Sequence, residues 1–218
     1  ARFVNDYFRG KGVELLAGHS IVGMETKGGG HVLSVRGAAS AAVQEVRVDG
    51  VVAGIGITPN VELARKAGLE TADGIVVDER LRSSRPEIYA AGDVASFHNP
   101  ALGKRIRVEH EDNAKSMGRV AGRSMAGEEV EYRYLPFFYS DLFELGYEAV
   151  GETDSRHETA ADWKVPFREG VVYYLEGGRV RGVLLWNVWE QVDAARALIA
   201  EPGPFRAEDL KGRLPKAA

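Results

Sequence analysis

The spacing of apolar residues changes character twice along this chain, and the changes divide it into three blocks. From residue 1 to about 58, one short helical stretch gives way to strands. Phe3-Val-Asn-Asp-Tyr-Phe8 has the spacing of an amphipathic helix already under way at the first residue. Val13-Glu-Leu-Leu16 reads as a short strand after the break at Gly10 and Gly12. His19 to Glu25 and His31 to Arg36 alternate as the arms of a hairpin across Gly28-Gly29-Gly30. Val46 to Val52 leads into Ala53-Gly-Ile-Gly-Ile-Thr-Pro-Asn60, read as a strand ending in a glycine-rich turn, with Asn60 placed to cap a helix over Val61 to Ala67. Gly68 then ends that helix, since left-handed backbone geometry is cheap for glycine.

In the second block, from about 59 to 130, Gly74-Ile-Val-Val-Asp78 predicts a short buried strand. Arg85-Pro86 breaks the chain before Glu87-Ile-Tyr-Ala-Ala91, a second strand that runs into Gly92 and stops at Asp93. A longer helix is predicted from about Asp112 to Ala126. Gly118 and Gly122 share one of its faces, although an interior glycine costs roughly 1 kcal/mol. Two on one face suggest close approach to a strand or a bound ligand, against the plainer alternative of a weak surface helix.

In the third block, from about 131 to 218, aromatic residues gather between Tyr132 and Tyr147. Val171 to Trp186 carries a strong hairpin signal with Gly177-Gly178 at the turn. A helix from about Trp189 to Ala200 places Trp189, Val192, Ala195 and Ile199 on one side and stops at Pro202. Strands followed by a helix predict an antiparallel α+β unit.

Composition narrows the functions on offer. At 218 residues with 44% hydrophobic content, the chain is of globular type. Its net charge of -4 gives no footprint for nucleic acid, and no apolar run reaches the length of a membrane span. Zero cysteines removes disulfides, thiolate metal sites and a redox dithiol from these residues. The absence of a secretory signal leads to the expectation of a cytoplasmic location.

The candidate chemistry is concentrated in a few places. A carboxylate at the end of a strand, as expected for Asp93, faces the crevice where α/β sheets hold cofactors. Taken alone, the Gly92-Asp93 pair favours a carboxylate that merely caps the next turn. Gly54-Ile-Gly56 is not a dinucleotide fingerprint, because Pro59 occupies the third glycine position. Glu109-His110-Glu111-Asp112 precedes the long helix, whose free N–H groups attract an anion or a polarised carbonyl. The run Lys104-Arg105-Ile-Arg107 reads as a solvated loop rather than a docking site. No second histidine stands at ligand spacing from His110, so no metal site is expected, and no nucleophile elbow supports a hydrolase.

The order of these segments resembles the FAD-dependent pyridine-nucleotide oxidoreductases. The resemblance rests on Ala53-Gly-Ile-Gly-Ile-Thr-Pro-Asn-Val-Glu-Leu-Ala64, Ile88-Tyr-Ala-Ala-Gly-Asp-Val-Ala95, Arg107-Val-Glu-His110 and Gly118-Arg-Val-Ala-Gly122. Tyr139-Ser-Asp141 and Gly146-Tyr-Glu-Ala-Val-Gly151 are similar to the branch of apoptosis-inducing factor and the ferredoxin and rubredoxin reductases. The fold this implies is α/β: part of a two-dinucleotide-domain FAD/NAD(P) fold followed by an α+β interface domain. Residues 1–58 would be the end of the NAD(P) domain, 59–130 the second half of the FAD domain, and 131–218 the C-terminal domain.

The resemblance also implies roles. Asp93 would hydrogen-bond the FAD ribityl chain, with Gly92 and Val94 placing backbone beside it. Glu109 and His110 would lie against the isoalloxazine and the incoming nicotinamide, Glu148 near the carboxamide, and Gly56 beside the nicotinamide nucleotide. Tyr139 stands where apoptosis-inducing factor has Trp, and Glu111 where it has a second His. No histidine is followed by proline, which argues against disulfide-reductase chemistry. The implied activity is hydride transfer from NAD(P)H to FAD, then electron delivery to a ferredoxin, a rubredoxin or a quinone, with no side chain assigned a catalytic role and homodimer formation possible. Both glycine-rich fingerprints of the family would lie upstream, so the chain alone is expected to bind FAD weakly. The alternative is a cofactor-free fragment or a redox-linked interaction module.

Overall fold

A computed structural model describes residues 2–214. They fall into two compact units divided between Ile57 and Thr58.

The first unit opens with helix α1 (Arg2–Gly10) and continues as a three-stranded antiparallel meander, β1 (His19–Lys27), β2 (Gly30–Gly37) and β3 (Val43–Val48). Lys27 pairs with Gly30, so the hairpin loop is Gly28-Gly29, both at positive φ. That geometry matches the twist of the flanking strands and suits glycine. Two expected strands did not form. Val13–Leu16 is unpaired, and so is the stretch from Val51 to Asn60, where Val52 is fully exposed. A strand is defined by its neighbour, and no described strand lies beside either segment.

The second unit carries two sheets. Helix α2 (Glu62–Lys66) is capped by Val61, not Asn60, and closes before Gly68 at φ +73°. Strands β4 (Thr71–Ala72), β5 (Gly74–Val76), β6 (Ala95–Asn99) and β7 (Lys104–Ile106) form a small mixed sheet in that order. Only β5 and β6 run parallel. Helix α3 (Glu111–Met125) covers this sheet through Met117 and Ala121, which pack with Val77, Ala95, Phe97 and Tyr132. Phe97 and Tyr132 meet edge to face at 5.1 Å.

Strands β8 (Phe137–Leu142), β9 (Leu145–Gly151), β10 (Glu158–Val165), β11 (Glu169–Glu176) and β12 (Arg179–Trp186) form an antiparallel sheet ordered β10-β11-β12-β9-β8. The β11–β12 hairpin turns at Gly177-Gly178 as the sequence predicts. Helix α4 (Val192–Ala200) lays Ala195, Leu198 and Ile199 on Val150, Val183 and Leu185. Trp189, expected on this helix, precedes it and lies over Gly146, where an added Cβ would stand 2.7 Å from the indole. The architecture is α/β with mixed sheets and a C-terminal α+β part, in line with the fold class expected from sequence.

Candidate functional site

The segment around Asp93 is built differently from the sequence expectation. Glu87–Ala91 contributes only an isolated bridge between Tyr89 and Arg82, and Gly92–Val94 forms a single 3₁₀ turn. The strand is β6, which begins after Asp93, so the carboxylate stands at the entry of a strand and not at its end. Gly92 sits at φ +76°, a conformation that favours glycine, and a Cβ there would already touch Ala114 of α3 at 3.4 Å. The Asp93 side chain is exposed and makes no hydrogen bond or ion pair among the described residues.

Arg107 fixes this turn. Its Nη1 donates to the Asp93 carbonyl at 3.0 Å and to Glu109 Oε1 at 2.8 Å, and its Nε donates to Asp73 Oδ1 at 2.9 Å. The side chain is only 10% exposed. Burial works to lower its pKa, but the bonds to Asp73 and Glu109 more than offset this and the net shift is upward. Lys104–Ile106, expected as a solvated loop, is strand β7, and Arg105 reaches the Val77 carbonyl at 3.1 Å.

At the head of α3, His110 is the N-cap. Its Nδ1 accepts from the Asp112 amide at 3.2 Å, which leaves Nε2 to carry the proton in the neutral ring. Two rings of β8 face it: Tyr139 edge-on at 5.4 Å and Phe137 at 5.9 Å. Glu111 pairs with Lys115 one turn on, and this bond holds the Glu111 carboxyl below its ordinary range. Arg107, Glu109 and His110 line an open cleft of about 270 Å³ with Leu135, Pro136 and Phe138.

Glu148 pairs with Tyr139 across β9 and β8, so the two side chains share a face of the sheet. Burial pushes the Glu148 carboxyl up, Arg196 of α4 pulls it down, and Glu190 adds to the rise. Glu148 Oε2 is buried with no hydrogen-bond partner. Arg196 also faces Asp112, with Nη2 3.7 Å from Oδ2, and Tyr134 donates to the other Asp112 oxygen at 3.0 Å.

His110 and Tyr139 are therefore in ring contact, Glu148 is Tyr139's cross-strand neighbour, and Glu109, Asp93 and Val94 adjoin through Arg107 and the 3₁₀ turn. Gly56 belongs to the first unit, at φ +86°, and a Cβ added there would have nothing within 4 Å. Gly118 and Gly122 also meet nothing within 4 Å, so the close approach expected of them is not made among the described residues. Sequence reading missed Arg196 altogether and took Arg107 only as part of a family segment and a solvated run. Their partners lie far off in sequence, and no local spacing marks them. Among the described residues no group of three or more His, Cys, Asp or Glu is placed to hold a metal ion, and no helix is long and apolar enough to cross a membrane.

Comparison with known proteins gives this geometry a context. Residues 1–118 match the pyridine nucleotide-disulphide oxidoreductase family, and residues 160–201 match the C-terminal region of mitochondrion-associated apoptosis-inducing factor. The chain is 39% identical to mitochondrial apoptosis-inducing factor 1 of Dictyostelium discoideum over 166 residues, covering 69% of this chain and 31% of that protein. It is 33% identical to monodehydroascorbate reductase 3 of Arabidopsis thaliana, covering 94% of this chain and 47% of that one. The crystal structure of a covalent putidaredoxin reductase–putidaredoxin complex superposes with a TM-score of 0.78 at 28% identity, covering 92% of this chain and 48% of that chain. The chain spans less than half the length of each of these relatives. The expectation of a cytoplasmic location is overturned, since the Dictyostelium relative is a mitochondrial protein and the lack of a recognisable signal carries no address.

Proposed function

Because the chain belongs to the pyridine nucleotide-disulphide oxidoreductase family and is related to apoptosis-inducing factor and the ferredoxin-type reductases, we propose that it is the flavin- and nicotinamide-facing portion of an FAD-dependent NAD(P)H oxidoreductase. In this reading residues 1–58 close an NAD(P) domain, 59–130 complete an FAD domain, and 131–218 form the C-terminal domain. The whole enzyme moves hydride from NAD(P)H to the flavin and passes electrons to an external acceptor. The solved complex of a relative with putidaredoxin supports a protein acceptor.

The observation that carries the reading is the grouping of His110, Tyr139 and Glu148, from the head of α3 and from β8 and β9, on one face of the C-terminal sheet. The residues fit a flavin. The Asp93 carboxylate is exposed and without a partner among the described residues, open to ribityl hydroxyls, and Glu148 Oε2, a buried acceptor with none, suits a carboxamide donor of the nicotinamide. Bound FAD would supply the hydride- and electron-accepting chemistry, while the protein supplies position and electrostatics.

Each residue then has a physical task. Gly92 lets the backbone turn close to a ligand, with Val94 beside it, and Asp93 accepts hydrogen bonds from ribityl hydroxyls. Arg107 keeps that turn and Glu109 in register. His110 and Tyr139 present adjoining rings that exclude water from a flat ligand. Glu148, with its carboxyl pushed up by burial, meets the nicotinamide carboxamide. The test is Asp93→Ala in the full-length protein, read as flavin absorbance per polypeptide and rate of flavin reduction by NADH. Loss of bound flavin supports the assignment, and unchanged retention and rate overturn it.

A further inference from the structure

An uncommon residue caps α3. His110 has the extended backbone of an N-cap, with φ −156° and ψ 145°, and its Nδ1 accepts from the Asp112 amide at 3.2 Å. Serine, threonine, asparagine and aspartate serve best as caps. An imidazole adds what they lack, a second nitrogen on the far side of the ring. With Nδ1 occupied as an acceptor, the neutral ring carries its proton on Nε2, which is then a donor. Nε2 has no hydrogen-bond partner among the described residues and stays open to solvent. The ring lines the cleft that Arg107, Glu109 and Pro136 also line.

Asp112, which supplies the amide, is anchored through its other polar atoms. Ser116 Oγ donates to its carbonyl at 2.8 Å, and Tyr134 donates to Oδ1 at 3.0 Å. Oδ2 faces Arg196 Nη2 at 3.7 Å, beyond a hydrogen bond but within Coulomb reach, and both atoms are buried with no hydrogen bond. Arg196 is fixed in turn. Its Nε donates to the Leu135 carbonyl at 2.8 Å, its Nη1 donates to Asp193 at 2.8 Å, and its guanidinium carbon lies 4.0 Å from the Tyr134 ring centre.

We propose that His110 is a hydrogen-bond donor to the ligand through Nε2–H, and that Asp112 is the positioning residue that fixes this tautomer. The chemistry it fits is a carbonyl oxygen on the rim of a flat heteroaromatic ring, either a flavin carbonyl or the nicotinamide carboxamide. The identity of the ring rests on the function proposed above; the tautomer and its anchoring do not. The opposite tautomer would turn a lone pair toward that oxygen and repel it.

The test uses the full-length protein labelled with nitrogen-15 histidine, read by the imidazole nitrogen shifts in alkaline buffer, with His110→Asn to assign the resonances. Wild type is expected to show Nδ1 bare and Nε2 protonated. The opposite tautomer, or an even mixture, overturns the proposal. Asp112→Ala keeps the main-chain amide and loses the side-chain anchors, so His110 is expected to shift toward a mixture of tautomers. An unmixed Nε2–H form in the folded variant overturns the positioning role. If Asp112→Ala does not fold, Tyr134→Phe, which removes one anchor, must show the shift.

His110→Asn separates the cap from the donor, since asparagine caps a helix well but reaches no further. Its melting temperature is expected to stay near wild type, while ligand affinity falls about five- to tenfold. Weaker FAD binding to the deflavinated protein assigns the flavin carbonyl. Weaker NAD⁺ binding with FAD binding intact assigns the carboxamide. If both affinities are unchanged the donor role falls, and the flavoprotein reading still stands or falls on Asp93→Ala.

Discussion

Arg107 holds the main chain of Asp93: Nη1 donates to the Asp93 carbonyl at 3.0 Å, across 14 residues of sequence. The same guanidinium bonds Asp73 and Glu109, so one side chain ties the end of β4, the 3₁₀ turn and the approach to α3. Arg107→Met keeps the apolar stem and removes all three bonds. Both carboxylate partners are partly solvated, which discounts their share. The expected loss is about 2 kcal/mol, read as a lower urea midpoint. In the full-length protein the variant should also retain less flavin than wild type, because the Asp93 turn loses its tether.

How much of this was legible in the chain depends on range. The hairpins at Gly28-Gly29 and Gly177-Gly178 are local chemistry, and so are α3 and α4, whose apolar faces carry the helical period. Glu87–Ala91 looked like a strand because Ile88-Tyr-Ala-Ala suits one. Which run joins the sheet was decided by β5, which accepts Ala95 and Ser96 as parallel partners. Ala53–Pro59 failed likewise for want of a neighbour. Gly92 and Asp93 stood out as an expected strand end and His110 as the approach to a helix, Tyr139 and Glu148 took their roles from resemblance, and no spacing rule would have grouped the five. Arg107 and Arg196 act on partners 34 and 61 residues away, a relationship invisible to local pattern.

Gly74 is required where it stands. It sits at φ +94°, and an added Cβ would lie 2.5 Å from the Val94 carbonyl oxygen and 2.9 Å from Arg107 Cδ. The arginine stem can shift, but the Val94 backbone closes the 3₁₀ turn and cannot move without it. Gly74→Ala therefore combines backbone strain with a clash. A loss of about 2 to 3 kcal/mol is expected, visible as a lower melting temperature. Gly103→Ala is the control, since that glycine also has positive φ but meets nothing within 4 Å, and it should cost less.

Glu152 gives stability that acid removes. It accepts from Arg181 at 2.9 and 2.6 Å and pairs with Lys104, linking β12 to β7. Burial works to raise its pKa, and the bonds from Lys104 and Arg181 outweigh it, so the folded value lies below the ordinary 4.5. A depressed carboxyl pKa means that the stabilisation is present above the unfolded value and is lost as pH falls through the folded one. Glu152→Gln is expected to cost about 2 kcal/mol at pH 7. Denaturation measured from pH 7 down should show the gap between variant and wild type narrowing below pH 4.5. A gap independent of pH would remove the ion pair from the explanation.

Glu148 should behave with the opposite sign. Its folded pKa is raised by burial, with Arg196 opposing and Glu190 assisting, so the folded state binds the proton more tightly than the unfolded chain. Its contribution is fully present below the ordinary value of 4.5 and is lost as pH rises through the folded value. Above that window the protein holds a buried carboxylate with one oxygen unpaired, at a cost to stability. Glu148→Gln, near-isosteric and uncharged, is expected to raise the melting temperature at pH 7 to 8 and to leave it nearly unchanged at pH 4. The same substitution should weaken binding of NAD⁺ to the full-length protein. A residue that destabilises the fold where it is charged, yet is needed for the ligand, is placed for binding rather than for folding, and the two measurements on one variant separate those roles.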